Sequence, residues 1–531
     1  MSFTGLVAEL PIGQDGLTGS KNAARILPSH LLQADNVNYF GDTLSKEGGA
    51  SKYNATVITD APSIQGGWDW WPTVTNQRMI VATGNGKLLK DSGAGTFPVT
   101  LKTGMTINPS DIINFIEGGK EAAAGDRKLF ILSPSNQMQV LAADGATTAN
   151  VATPATDWAT NFPRFGNAHD GRIWAGGNLN DPYRLYYSER TNHEVFQGGT
   201  AGSLSIFPGE GEYNVGVVSF KGLQLVFRYP VGIYAVDTQD ATIANWTINK
   251  LSTKIGAAGS GAIWPLEDDV MFMDVQGNLQ LLSGITEFGN LGMRSASTET
   301  NIQTYIKENF NLAQIQRIRG VLYAKKREVH IAIPGTGSTV NNRRLVVDLN
   351  RPGQLRFRSS SRDVCESLWL RRNTGGVYIL TSGDDAGFVW DMDQDTKSKD
   401  GAGYNAEWQS SHDDLSWLEP SLATVRKSGK YLELVIEPLG NWNLGVDVIW
   451  DGKLHQSVNF NMGVTGAALG SFELGTDILG NSPIGNRKRR IGGSGRRLSL
   501  RGSNSGAGQD YSILRFLLHF KKSSQRLESE T

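Results

Sequence analysis

The sequence predicts an all-β chain whose centre is a β-propeller of six to eight blades, with seven favoured. A strand–turn–strand unit recurs along it. Met79-Ile80-Val81-Ala82-Thr83 turns at Gly84-Asn85-Gly86 into Lys87-Leu88-Leu89. Met271-Phe272-Met273-Asp274-Val275 turns at Gln276-Gly277-Asn278 into Leu279-Gln280-Leu281-Leu282. Val377-Tyr378-Ile379-Leu380 turns at Gly383-Asp384-Asp385 and leaves as Gly387-Phe388-Val389-Trp390. Similar pairs lie at 129–141, 172–187, 223–236 and 321–333, a spacing of roughly 40–55 residues, close to a propeller period. Glycine supplies the turns: 63 of 531 residues, well above the usual share of about 7%. Finally, 531 residues exceed the roughly 250–300 that one undivided core can serve. A propeller escapes that limit because each blade packs only on its neighbours.

Residues 1–60 read as an extended N-terminal arm. Gly13, Gly16 and Gly19 break regular structure, and 31–40 gives a short strand. Gly41-Asp42 is a hairpin turn from which Leu44-Ser45-Lys46 returns. Residues 61–400 carry the repeats, beginning at Trp68, Trp70 and Trp71. One helix, 298–315, is expected as an insertion between blades, with Ile302, Tyr305, Ile306, Phe310 and Ile315 on one face. After a polar, turn-rich boundary at 391–403, the strands lengthen. Those at 431–436 and 444–450, the turn Asp451-Gly452, and strands at 498–501 and 512–520 predict a C-terminal antiparallel β-sandwich over 401–531.

Charge is unevenly placed. Residues 481–531 hold eleven Lys or Arg and three acids, a net +8, while the whole chain is −1, so the rest is −9. Arg487-Lys488-Arg489-Arg490 with Arg496 and Arg497, set among Gly485, Gly492, Gly493 and Gly495, reads as a flexible cationic loop between two strands. Such a loop can be merely solvated, grip an acidic protein surface, or face a nucleic-acid backbone without reading sequence. A second basic set (Lys325-Lys326-Arg327, Arg343-Arg344, Arg356, Arg358, Arg371-Arg372) is expected on blade turns and edges, where cations block unwanted strand pairing.

Residue patterns for catalysis are sparse. The seven histidines (His30, His169, His193, His330, His412, His455, His519) show no metal-ligand spacing, and His330 is expected as a core or cross-strand residue. There is no Gly-x-Ser-x-Gly elbow. Gly16-Leu17-Thr18-Gly19-Ser20-Lys21 lacks the order and frame of a phosphate loop. Ser382-Gly383-Asp384-Asp385-Ala386-Gly387-Phe388-Val389-Trp390 is similar to the Asp-box of sialidase-type propellers, with its glycine one residue late; that box stabilises a turn. No catalytic residue, cofactor or metal is therefore expected. The single cysteine, Cys365, reads as a small buried hydrophobe and suits folding in a reducing cytoplasm. The N-terminus lacks a secretory pattern, and no apolar run reaches membrane-spanning length.

The segment 34–49 (Ala34-Asp35-Asn36-Val37-Asn38-Tyr39-Phe40-Gly41-Asp42-Thr43-Leu44-Ser45-Lys46-Glu47-Gly48-Gly49) resembles the opening of short-tailed bacteriophage tail nozzle, or packaged-DNA stabilisation, proteins. Segments 172–188, 345–349 and 496–520 resemble a blade, a blade strand and the C-terminal sandwich of the same family. The resemblance implies a structural virion protein of the tail, assembled in the host cytoplasm. It implies a homohexameric ring that extends the DNA channel, retains packaged genome and opens for ejection. Expected partners are copies of itself, adaptor or head-to-tail connector proteins, and tail fibre or needle proteins. Double-stranded DNA would pass non-specifically, and no membrane insertion is expected. The basic loop would then contact the adaptor or a neighbouring subunit. The length of that loop departs from the family pattern. A glycan- or receptor-binding propeller is the alternative, and a sialidase-like hydrolase a further one.

Overall fold

Alternating apolar and polar residues between tight turns build strands whose one face must be buried, and strand makes up 52% of the chain against 6% helix. The computed structural model describes residues 5–20, 26–41, 43–73, 76–93, 95–119, 126–146, 148–208, 211–284, 291–296, 301–351, 354–373, 375–463 and 484–522. Six four-stranded antiparallel sheets form a six-blade propeller arrangement, within the six to eight expected. Their inner strands are Ile64–Thr73, Asn114–Gly119, Phe165–His169, Tyr213–Phe220, Ile263–Pro265 and Ser367–Arg372, in blades numbered 1 to 6 in that order. Every hairpin read from the sequence is present; Asn76–Thr83 pairs with Lys87–Lys90, and Val270–Met273 with Leu279–Gly284.

Between blades 5 and 6 stand four strands of a ten-stranded sheet: Arg319–Tyr323, Glu328–Ile333, Arg343–Arg351 and Gln354–Ser360. Arg319–Tyr323 touches the inner strands of both neighbours, and the inner strand of blade 6 returns to that of blade 1, so the circle closes. Glycines make the close approaches at the hub. A Cβ on Gly67 would stand 2.5 Å from the Trp369 ring of the neighbouring blade. Gly320 makes the same room for Trp264. Small residues facing large ones fit the taper of the blades.

The N-terminal residues, expected as an extended arm, are instead woven through three sheets. Gly49–Lys52 is the outer strand of blade 6, paired antiparallel with Val389–Gln394. His30–Asp35 joins Gln354–Ser360 to Ala406–Ser410 and so carries the shared sheet onward. Val37–Phe40 and Thr43–Lys46 form the expected hairpin, which adds to Ser512–Lys522 in a seven-stranded sheet. Leu6–Leu10 pairs with Ser512–Lys522 as well.

Residues 401–463 and 484–522 complete both large sheets. Ala406–Ser410, Leu498–Asn504, Asn443–Trp450 and Lys453–Asn461 extend the shared sheet beyond the propeller. Asp451 and Gly452 both have positive φ, 49° and 79°, as a two-residue hairpin requires. Lys427–Ile436, Gly485–Arg490 and Ser512–Lys522 lie in the seven-stranded sheet. One hydrophobic core runs through both, from Val329, Ile331 and Leu345 of the shared sheet to Leu432, Leu434, Phe516 and Leu518. The Trp408 and Phe516 rings meet edge-on at 5.2 Å.

The expected helix at 298–315 is shorter and broken. An α-helix spans Gln303–Asn309, and a 3-10 turn follows at Leu312–Arg317; residues 297–300 lie outside the described residues. Phe310 is extended and bridges Gly335, while the Asn311 amide N–H donates to the Pro334 carbonyl at 2.8 Å. Pairing just beyond the end of the shared-sheet strand Glu328–Ile333 thus overrides the helical period. Ile302, Ile306, Phe310 and Ile315 are nonetheless buried.

The Asp-box-like turn is a hydrogen-bonded clamp. Asp384 Oδ1 accepts the backbone N–H groups of Ala386 and Phe388 at 2.9 and 2.8 Å, and Oδ2 accepts the Trp390 indole N–H at 2.9 Å. Asp274 repeats the device in blade 5, accepting from Gln276 N and Asn278 N at 2.9 Å each. Asp384→Ala leaves three donors without their acceptor, the Trp390 indole N–H buried and the other two part-buried, and is expected to destabilise by about 1–3 kcal/mol. Asp385→Ala, on the same turn, should change stability by less than about 0.5 kcal/mol; equilibrium denaturation of both variants checks this.

Candidate functional site

Three places gather polar chemistry. The first is the basic segment, and here the structure corrects the expected loop. Gly485–Arg490 is an edge strand, paired antiparallel with Lys427–Ile436, with Leu432 opposite Arg489 and Leu434 opposite Arg487. Strand alternation divides its cations. Arg487 Nε donates to the Asn461 carbonyl at 2.9 Å and Arg489 Nε to the Asn459 carbonyl at 3.0 Å. Asn459 and Asn461 lie on Lys453–Asn461, the edge of the other large sheet, so these two arginines clip the sheet edges together. Lys488 points the other way, over the Tyr431 ring at 5.0 Å and 3.7 Å from Glu433. Arg490 and Arg496 are exposed. Arg496 and Arg497 donate their backbone N–H groups to Asp451 Oδ1 at 2.9 and 2.8 Å, which fixes the turn that follows the strand.

The second place is inside the shared sheet. Arg344, Arg356 and Arg358, expected at turns and edges, are fully buried. Arg358 forms a two-pronged pair with Glu328, 2.9 Å on each side, and His330 Nε2 lies 3.0 Å from the same carboxylate. Arg344 binds Glu47 at 2.7 Å, Arg356 Nε binds Asp348 at 2.9 Å, and Arg362 binds Asp363 at 2.7 Å. Burial alone pushes the Glu47 carboxyl up, but the Arg344 and Arg362 guanidiniums outweigh it and hold it at about 2. Burial lowers His330, so its imidazole is neutral near pH 7. Glu47 belongs to the N-terminal segment and Arg344 to the shared sheet, so the pair fastens one to the other. The i, i+2 spacing of Glu328/His330 and Arg356/Arg358 is the signal that places each pair on one sheet face. Cys365 is also buried, and burial raises its thiol to about 12, in line with the hydrophobic reading.

The third place, absent from the sequence reading, is a cavity of about 560 Å³ at the propeller hub. In a four-stranded meander, the segment entering the inner strand and the turn between the second and third strands fall at one end. Both kinds of segment line this cavity, including Asp111, Arg164, Glu212 and Ser260 before inner strands and Pro134 and Asn178 in turns. Tyr183 and Tyr213 supply aromatic surface. Asp111 is engaged by Asn108, whose N–H donates at 2.9 Å. Burial, then the neighbouring Tyr229, raises the Tyr213 phenol. Among the described residues, no group of three or more His, Cys, Asp or Glu is placed to hold a metal ion. No described helix is long and apolar enough to cross a membrane.

No protein-family model matches the chain, and no curated protein matches it. Among solved structures, the computationally designed Ika8 protein aligns over 64% of this chain and 100% of its own, at 10% identity and a TM-score of 0.35. PorZ is an essential bacterial surface component of the type-IX secretion system of Porphyromonas gingivalis. It aligns over 63% of this chain and 37% of its own, at 11% identity and a TM-score of 0.38. This chain therefore spans little more than a third of the length of PorZ. Likenesses this loose carry no argument about site or activity, and the fold rests on the strand pairing described above.

Proposed function

We propose that this chain is a structural protein of nozzle type: a subunit of a ring in a short bacteriophage tail, extending the DNA channel and holding genome until ejection. The observation that supports this reading most is the placement of residues 34–49, the segment that carries the family resemblance. Its hairpin and flanking strands bind the propeller to the C-terminal sheets, and its Glu47 is locked by Arg344. A body tied in this way resists deformation, as a channel wall under load must. In this reading the first four strands of the shared sheet count as a seventh blade, and the two packed C-terminal sheets as the expected sandwich. A hub cavity of about 560 Å³ has the size of a small-ligand site, so a duplex would run between subunits rather than through one.

A ring made by head-to-tail contacts needs two different complementary surfaces per subunit. The exposed cations Lys488, Arg490 and Arg496 on one side, and the acidic remainder of the chain, supply opposite signs. Negative-stain imaging and native mass spectrometry of the purified chain, alone and with tail adaptor protein, test this. Closed rings, of six by the family resemblance, are expected. The triple variant Lys488→Gln/Arg490→Glu/Arg496→Glu should lose assembly while keeping an unfolding midpoint close to the wild type, because Gln sets no like charge opposite Glu433. Arg487 and Arg489 are left intact because they hold sheet edges together. Monomers that never join the adaptor, or rings indifferent to the triple variant, would refute the proposal or the role of its basic strand, respectively.

A further inference from the structure

We infer that the hub cavity is a binding site for an acidic saccharide, a sugar unit bearing a carboxylate. This does not depend on the ring reading. Its volume of about 560 Å³ falls inside the usual span of about 300–1,000 Å³ for small-ligand sites. The lining has the two features such a ligand needs.

The first is aromatic surface beside polar groups. Tyr213 is 38% exposed and its ring lies 5.2 Å from that of Tyr229, which steadies it. Tyr183 is half-buried and covers the Arg228 guanidinium at 5.2 Å. Each tyrosine joins an apolar ring face, suited to the C–H face of a pyranose, to a hydroxyl that can bond a sugar hydroxyl.

The second is an unmatched cation. The acids of the lining have partners: Asp111 is held by Asn108, and Glu212 lies 3.8 Å from Arg228. Arg164 has no carboxylate partner among the described residues, and its Nε is buried without an acceptor. It lies close enough to Tyr213 to favour the ionised phenol. A guanidinium held in a concave site without its counter-ion favours an anion, and a carboxylate matches its planar fork. The amides beside it are committed to the frame rather than to a ligand. Asn214 donates to the Tyr183 carbonyl at 2.9 Å and accepts from Arg228 Nε at 3.3 Å. The site is thus built before any ligand arrives.

The test is titration of the full chain with D-glucuronate and N-acetylneuraminate, and with the neutral methyl ester of each, followed by calorimetry and ligand-observed NMR. Saturable binding of at least one acid is expected, with its methyl ester weaker by about tenfold or more, as loss of a charged hydrogen bond implies. Arg164→Gln should bring the acid down to the level of its ester. Tyr213→Ala, at an exposed position that does not threaten folding, should weaken acid and ester alike. No saturable binding of either acid up to about 20 mM, a weak-affinity limit, would overturn the inference. So would equal binding of acid and ester to the wild-type chain, which requires no variant to fold.

Discussion

Arg358→Ala is expected to destabilise the folded chain by about 3–5 kcal/mol, the usual cost of stranding one member of a buried ion pair. The Glu328 carboxylate would keep only the His330 imidazole as a close side-chain partner, in a site from which water is excluded. Replacing both residues, as Glu328→Met/Arg358→Met, removes the stranded charge and should restore much of the loss, because burying two apolar groups costs no ion desolvation. Denaturant unfolding of the single and double variants reads this directly. The same cluster sets an acid limit. Glu47 titrates at about 2 in the folded protein, below the ordinary value of about 4.3. Its contribution is therefore complete above about pH 4.3 and is lost as pH falls towards 2. His330, held neutral by burial, adds a loss that begins as pH drops below its ordinary value of about 6.5. Both act in one direction, so the stability contributed by this cluster should fall from pH 7 to pH 4 and fall further below it.

A chain beginning at residue 53 is expected to lose its single cooperative unfolding transition. It would lack the outer strand of blade 6, leaving Val389–Gln394 with an open edge. It would also lack His30–Asp35, through which the propeller strands join Ala406–Ser410, and Glu47, the partner of Arg344. Two weaker units with exposed strand edges should remain, and they should aggregate. A milder variant separates the closing strand from the rest. Ala50 donates its N–H to the Ser398 carbonyl at 2.9 Å, and Ala50→Pro removes that donor from a buried position. Its calorimetric trace should show blade 6 melting first, while the C-terminal sheets keep the wild-type transition.

The local parts of this architecture were legible because they are written in short stretches. Gly84-Asn85-Gly86 between two apolar runs, or Asp451-Gly452 between alternating ones, fixes a hairpin without help from elsewhere. The closing strand was not legible, since Gly49–Lys52 pairs with residues about 340 positions away and has no strong pattern of its own. The basic segment misled for a physical reason. Arg487-Lys488-Arg489-Arg490 flanked by glycines has the composition of a solvated loop, and it becomes a strand only because Lys427–Ile436 offers it an edge. Arg344, Arg356 and Arg358 misled likewise, since charge alone does not say whether a counter-charge waits inside. The hub cavity gathers residues from blades far apart in sequence, so no single stretch announces it. The turn clamps, by contrast, carry a local signal: Asp274 and Asp384 each stand three residues before a positive-φ glycine, Gly277 and Gly387.

That the first sixty residues lock the circle and weld it to the C-terminal sheets is tested most directly by native-state hydrogen exchange. The backbone amides of Gly49–Lys52 and His30–Asp35 that lie in ladders should exchange only through global unfolding, with the same free energy as those of Glu328–Ile333. Exchange of these segments at the rate of an open loop, while the blades stay protected, would contradict it.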